Sequence, residues 1–298
     1  MQYHFGYIPN PKETAKFVSA LPAQTFAQAA PWSINDEEDS DVFAWRPLTS
    51  LIGTPRLHAY HQGSVGSCVG NGTAGGVNIT TAADILCRKE PEKWLFRAAA
   101  DALYAMSRQV SNTLGYQDGS YGSAAADAIS KYGVIHMTKY GNIDLSTYSA
   151  QRCRDWASQG VPRTILDAAT PHKMVQVTLI QNCQQLRSAI RNYYGVNVCS
   201  SQGFTSSRSE GGWAAASGTW NHSMYIAGYR GGKRRGFLIV NSWGDDWITG
   251  PVWPDDQPYG SFWADWDIVE GMLRSNDTFA YASYQGFIKK ETQWDTKW

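Results

Sequence analysis

The apolar positions of this chain change period near residue 195. Before it they recur mainly at helical spacing, and after it they gather in short runs bounded by glycine. Over residues 92–110, Leu95, Ala98, Ala99, Ala102 and Met106 line one face of a predicted helix. An alanine-rich helix is predicted over 120–132 and stopped by Gly133, and another over 181–194 and stopped by Gly195. A further helix is expected from 68 to about 87, with Ser67 as its N-cap. Its interior Gly70, Gly72, Gly75 and Gly76 cost helix stability but admit a closely packed neighbouring strand. Val196 and Val198, then 224–229 and 236–240, read as strands. Helices first and strands afterwards predict an α+β protein with a helical lobe over about 62–190 and a sheet lobe over about 195–285. Residues 1–45, punctuated by Pro9, Pro11, Pro22 and Pro31 and carrying the acidic run Asp36, Glu37, Glu38 and Asp39, read as an extended N-terminal arm or short leader before a domain of 46–298.

Composition narrows the function classes. With 298 residues, 43% of them hydrophobic, the chain can bury a sizeable core, and its 39 aromatic residues, 13 Trp, 16 Tyr and 10 Phe, fall to that core by default. Lys and Arg number 26 and so do Asp and Glu, so no net field draws nucleic acid or an anionic membrane, and neither is expected as a partner. No apolar run reaches the roughly 18 residues that span a bilayer. The start, Met1 to Phe5, lacks the basic and apolar regions of a secretory signal. The five cysteines, Cys68, Cys87, Cys153, Cys183 and Cys199, have no metal-type spacing, and no metal or cofactor is expected.

The chemistry concentrates in three segments. Cys68 closes the glycine-rich stretch Gln62-Gly63-Ser64-Val65-Gly66-Ser67-Cys68; His222 stands in Trp220-Asn221-His222-Ser223; Asn241 stands in Val240-Asn241-Ser242-Trp243-Gly244. A thiol nucleophile needs a base, and the base needs a group to orient it. A helix opening at Cys68 would favour the thiolate through its N-terminal partial charge. Gln62 can donate from its side-chain amide to an oxyanion, beside the backbone N–H of Cys68. His222 follows Cys68 by about 150 positions, and Asn241 follows shortly after.

On these segments the chain resembles the papain-like cysteine peptidases, the C1 type. The likeness covers roughly residues 45–285 and is strongest around 62–68, 116–133, 220–229 and 239–244. It implies a two-lobed fold with the active site in the cleft, a Cys68–His222–Asn241 triad aided by Gln62, an acyl-enzyme intermediate and peptide or protein substrates. It also implies that Trp243 covers the His–Asn contact, that Gly119 and Ser120 pair with substrate backbone, and that Asn221 belongs to the substrate-binding set. The chain departs from the pattern where Val65 replaces a cysteine and where its usual disulfide partner, before Gly119, is also missing. Loss of both points to a reducing compartment, so a cytoplasmic or virion-associated setting is expected. The arm is too short for the family's prosegment of about a hundred residues, which puts conventional zymogen control in doubt.

Three other readings compete. A small Cys-His peptidoglycan hydrolase starts from a different cysteine context, and a transglutaminase-type transferase closes its triad with aspartate. The third is a papain-fold structural or interaction subunit of a virus particle, with the arm contacting an assembly partner; residues 260–280 resemble papain-like proteins encoded by bacteriophages.

Overall fold

A computed structural model describes residues 4–34, 39–88, 97–283 and 287. The arm is helical where its caps dictate. Pro11 supplies the fixed φ of a first helical residue and Asn10 accepts from the N–H of Glu13 at 3.3 Å, opening α1 (Pro11–Ser19). Thr25 and Gln28 form a reciprocal capping box on α2 (Phe26–Ala29). The arm expected to be extended is so only over residues 4–10; part of its acidic run, Asp36 to Glu38, lies outside the described residues.

Next come β1 (Val42–Phe43), α3 (Arg46–Ile52), α4 (Cys68–Arg88), α5 (Ala100–Val110) and α6 (Gly122–Lys131). A small hairpin, β2 (Lys139–Tyr140) and β3 (Ile143–Asp144), leads into α7 (Ala150–Gln159), α8 (Arg163–Ala169), β4 (Gln176–Leu179) and α9 (Cys183–Arg191). The chain ends through β5 (Val196–Ser209), β6 (Trp213–Arg230), β7 (Gly236–Val240), β8 (Ser261–Asp265), α10 (Trp266–Leu273) and β9 (Phe279–Ala282). Strands run in the order β4-β9-β5-β6-β7-β8, with β1 added on β6.

The helix expected over 92–110 begins, within the described residues, only at Ala100; residues 92–96 lie outside them. Ala98 is held instead in a bridge with His136, and the N–H groups of Ala98 and Ala99 are taken by Asn78 Oδ1 and the Ile135 carbonyl. Ser67 stands before α4 and its carbonyl accepts the N–H of Asn71, but its hydroxyl pairs with Tyr148 and with the Asn71 side chain.

Two main cores form. The sheet core gathers Phe237, Leu238, Ile239 and Phe262 with Leu186 and Ile190 of α9, and also Trp45, Leu48 and Leu57 from before α4. The helical core gathers Leu103 and Met106 of α5, Ile129 of α6, and Ile165 and Leu166 of α8. Strand β9 stitches the two together by its period of two: Ala280 and Ala282 face the sheet core, Phe279 and Tyr281 the helical one. Residues 180–190, expected at the end of the helical lobe, thus pack on the sheet.

Helix α4 lies directly on β5 and β6, as its glycines predict. A Cβ on Gly75 would sit 2.1 Å from the Tyr225 ring, and one on Gly195 would sit 1.8 Å from the Gly76 carbonyl oxygen. This contact brings the first residue of α4, Cys68, beside the middle of β6.

Candidate active site

Position 62 is fixed by backbone and side chain together. The Gln62 N–H donates to the Ser242 carbonyl at 2.9 Å, and Gln62 Oε1 accepts from the Ser242 hydroxyl at 2.6 Å. That leaves Nε2 to donate to the Val65 carbonyl at 2.9 Å and to the His4 carbonyl at 3.0 Å. The turn that follows uses Gly63 at φ 60°, a conformation that favours glycine, and the N–H of Gly66 bonds Asp118 Oδ2 at 2.8 Å. Val65, at the position where the family pattern has a cysteine, is fully buried against Tyr104, Cys153 and Ala157.

Cys68 is buried, and its thiol faces the backbone N–H groups of Gly6, Ser223 and Val69. His222 lies on β6 opposite Ser200, also buried. Its Nε2 pairs with Asn241 Oδ1 at 2.7 Å, and its Nδ1 has no hydrogen-bond partner among the described residues. Asn241 Oδ1 accepts in addition from the Ser242 N–H at 2.7 Å, which holds the amide oxygen toward the ring. Ser223, next to His222 on β6, turns its N–H to the Cys68 sulfur, and no hydrogen bond joins the thiol to the imidazole. Trp243 packs on the imidazole with centroids 4.7 Å apart, and Trp220 meets it edge-on at 6.3 Å. Contacts thus join His222 to Asn241 and Trp243, and Gln62 to Ser242 beside Asn241, while Cys68 touches the N–H of Ser223 next to His222. His61, by contrast, stays exposed, its Nδ1 accepting from the Gly63 N–H at 3.1 Å.

Solved structures of similar fold are cysteine proteases and their proforms. Xylellain, a cysteine protease from Xylella fastidiosa, is 18% identical over 95% of this chain and 92% of its own, with a TM-score of 0.55. A proCathepsin B from Trypanosoma congolense aligns over 94% of this chain and 87% of its own at 12% identity and TM-score 0.58. Procathepsin L2 from the larval midgut of Tenebrio molitor aligns over 94% and 78% at 15% identity and TM-score 0.56. The fold is papain-like. No protein-family model and no curated protein sequence matches the chain.

In this papain-like fold the space between Cys68 and Ser120 is filled by the chain's own arm. Tyr7 forms a parallel bridge with Ser120: the Ser120 N–H donates to the Gly6 carbonyl and the Ile8 N–H to the Ser120 carbonyl, each at 2.9 Å. The Tyr7 N–H donates to the Asn221 carbonyl at 3.1 Å. Gly119, at φ 120°, lies under the Ile8 side chain, while the Phe5 ring meets His222 edge-on at 5.9 Å. The fit at Gly6 is tight, since a Cβ there would lie 1.7 Å from the Gly66 carbonyl oxygen.

Covering the site sets its electrostatics. Burial pushes the Cys68 thiol up to about 12, against the N–H groups of Ser223, Gly6, Val69 and Cys68 itself, which favour its anion. Burial likewise holds His222 down at about 4, although the bond to Asn241 works the other way. In that order the proton stays on sulfur, and the pair is neutral while the arm is seated. Among the described residues, no group of three or more His, Cys, Asp or Glu is placed to hold a metal ion, and no helix is long and apolar enough to cross a membrane.

Sequence reasoning missed the parts that meet only in space. Ser242 buttresses Gln62 across 180 positions, Asp118 holds the turn at Gly66, and His4 to Ile8 occupy the cleft. The one local hint was the adjacency of Ser242 to Asn241.

Proposed function

We propose that this chain is a cysteine endopeptidase, held covered by its N-terminal arm, that cleaves peptide bonds through Cys68, His222 and Asn241. The observation that carries this reading is the imidazole of His222, pinned at Nε2 by Asn241 with Nδ1 left without a hydrogen bond. Once the arm leaves, water returns to the cleft and the burial penalty on both ions falls. Cys68 then passes its proton to His222 Nδ1, and the thiolate attacks the substrate carbonyl carbon. The carbonyl oxygen becomes an oxyanion that accepts from Gln62 Nε2, which the arm's His4 carbonyl occupies in the covered state, and from the Cys68 N–H. Collapse breaks the C–N bond, His222 returns the proton to the departing amine, and a thioester remains on Cys68. Water, losing a proton to His222, hydrolyses the thioester and releases the carboxylate product with the thiol restored. Ser120 and Asn221, which hold the arm's backbone, would hold the substrate's.

The procathepsins among the similar structures support reading residues 4–34 as a short inhibitory leader. The filled cleft and neutral pair also favour a second reading, a papain-fold subunit of an assembly such as a virus particle, with little or no proteolysis. An epoxide-type thiol probe under reducing conditions separates them. The peptidase reading expects Cys68 to be alkylated in the wild-type chain and faster in a Gly6→Ala chain, with no label at this position in Cys68→Ala. No adduct on Cys68 in either of the first two sinks it.

A further inference from the structure

Cys199 is a second thiol in the apolar cluster that holds Cys68, and the proposed reaction does not use it. Both cysteines are fully buried, and the cluster also takes in Val69, Ala124, Ala125 and the Tyr7 side chain of the arm. Cys199 lies on β5 opposite Ser223 of β6, the residue whose N–H faces the Cys68 sulfur. Its own Sγ donates to Asn197 Oδ1 at 3.9 Å.

The glycines of α4 fix how the helix runs along β5. A Cβ on Gly76 would lie 3.3 Å from the Val196 carbonyl carbon, and one on Gly72 would lie 2.7 Å from Asn197 Oδ1 and from Ser223 Oγ. Four helical residues, a rise of about 6 Å, lead back from Gly72 to Cys68, and two strand residues, about 6.6 Å, lead on from Asn197 to Cys199. Asn197 and Cys199 point to the same face of β5. The register therefore sets Cys68 against Cys199, along a contact that the glycines make close enough for the short span of a disulfide. Burial, the Asp277 carboxylate just before β9 and charge on Cys68 all push the Cys199 thiol well above its ordinary value, so it stays protonated and leaves the first reaction with an oxidant to Cys68.

We propose that Cys199 is the resolving cysteine of a reversible oxidative switch at Cys68, which a peroxide throws once the arm has left the cleft. The switch rests on the peptidase reading above for the departure of the arm and for the Cys68 thiolate. That thiolate attacks the peroxide, the O–O bond breaks, and Cys68 becomes a sulfenic acid; the departing hydroxide takes the proton that Cys68 had passed to His222 and leaves as water. The Cys199 sulfur then attacks the Cys68 sulfur and the S–O bond breaks, the Cys199 proton going to the departing hydroxide as a second water. The two thiols lose two electrons and the peroxide gains them. The bridge ties α4 to β5 and removes the nucleophile, and a dithiol restores it by exchange.

The test treats the full-length chain carrying Gly6→Ala with hydrogen peroxide and maps its cysteines by mass spectrometry without reduction. Epoxide labelling of Cys68 and peptide cleavage are read in the same preparations before peroxide. The expected product is a pair of peptides joined from Cys68 to Cys199 and lighter by two hydrogens, with labelling of Cys68 restored by dithiothreitol. With Cys199→Val added, Cys68 should pass on to the sulfinic acid, heavier by two oxygens, and the share of labelling that dithiothreitol restores should be about 10-fold lower. In a chain whose Cys68 labels before peroxide, the absence of that bridge, a bridge to Cys153 in its place, or recovery unchanged by Cys199→Val overturns the assignment and leaves the peptidase reading intact. If Cys199→Val does not fold, Cys199→Ser, close to the native side chain in size, takes its place with the same outcomes expected. A Cys68 that neither labels before peroxide nor supports cleavage overturns the peptidase reading itself, and this assignment with it.

Discussion

At the scale of residues, the candidate site is a set of short hydrogen bonds that fix one side of Gln62 and one side of His222. Gln62 is pinned through Oε1, with its Nε2 shared between the Val65 and His4 carbonyls; His222 is pinned through Nε2, with Nδ1 left without a hydrogen bond. We expect Gln62→Ala to lower kcat by about 10²–10³ with KM little changed, in steady-state assays on a peptide substrate, because its contact is made with the oxyanion and not the ground state. The pH dependence follows from the same burial. With the thiol held up near 12, alkylation of the covered chain should keep rising to alkaline pH, whereas Gly6→Ala should shift the profile to lower pH as Cys68 and the imidazole regain water. Labelling rates measured from pH 5 to 10 on both chains check this; superimposable profiles would speak against the arm as the cause. These candidate residues could be picked out because each stands in its own local signature. Ser242, Asp118 and Asp277 could not, since a side chain that buttresses from more than 50 positions away leaves no local pattern.

At the scale of elements, glycine pairs decide where the nucleophile sits. The glycines of α4 reduce its intrinsic stability and in exchange let it lie on β5 and β6, an exchange visible in the sequence as a helix with too many glycines. Gly75→Ala would place a methyl into the Tyr225 ring; we expect a loss of roughly 1–3 kcal/mol in denaturant unfolding. Gly6→Ala acts differently. Its Cβ meets the backbone oxygen of Gly66, which cannot swing aside like a side chain, so the arm should leave the cleft while the two cores stay packed. Little change in melting temperature with faster Cys68 labelling is the expected pair of results. The start of α5 was misread because Ala98 and Ala99 fit a helical period equally well as a bridge; the decision is made by Asn78 and Ile135, which take their N–H groups. The arm was read as extended because its prolines were weighed as breakers, although Pro11 after Asn10 is a helix start.

At the scale of the whole molecule, the two cores are joined by β9 and by the arm, which crosses from Gln62 past Ser120 before α1 reaches α6 near Ser123. The order of helical and strand patterns was enough for the class of fold, because each period reports how an element is buried. Which element joined which core was not legible, since residues 42–57 and 180–190 reach the sheet only through the tertiary path. Acid acts against the covered molecule through its histidines. His222 and His136, both held near 4 by burial and ordinarily near 6.5, are protonated more readily when unfolded, so stability is lost as pH falls through that window. Asp277, raised to about 6 from 3.8, works in the opposite direction, its contribution being lost as pH rises. Asp101 and Asp127, also raised by burial, act with Asp277; the histidines' part is isolated by His136→Asn, which should make the thermal midpoint fall less, or rise more, between pH 6.5 and 4.5 than in the wild-type chain. The central claim is that Cys68 cleaves peptide bonds once the arm is displaced. Its most direct measurement is mass spectrometry of an unfolded protein incubated with full-length Gly6→Ala and with the same chain also carrying Cys68→Ala. Fragments formed by the first and not the second are the predicted result; equal fragmentation by both, or none by either, contradicts it.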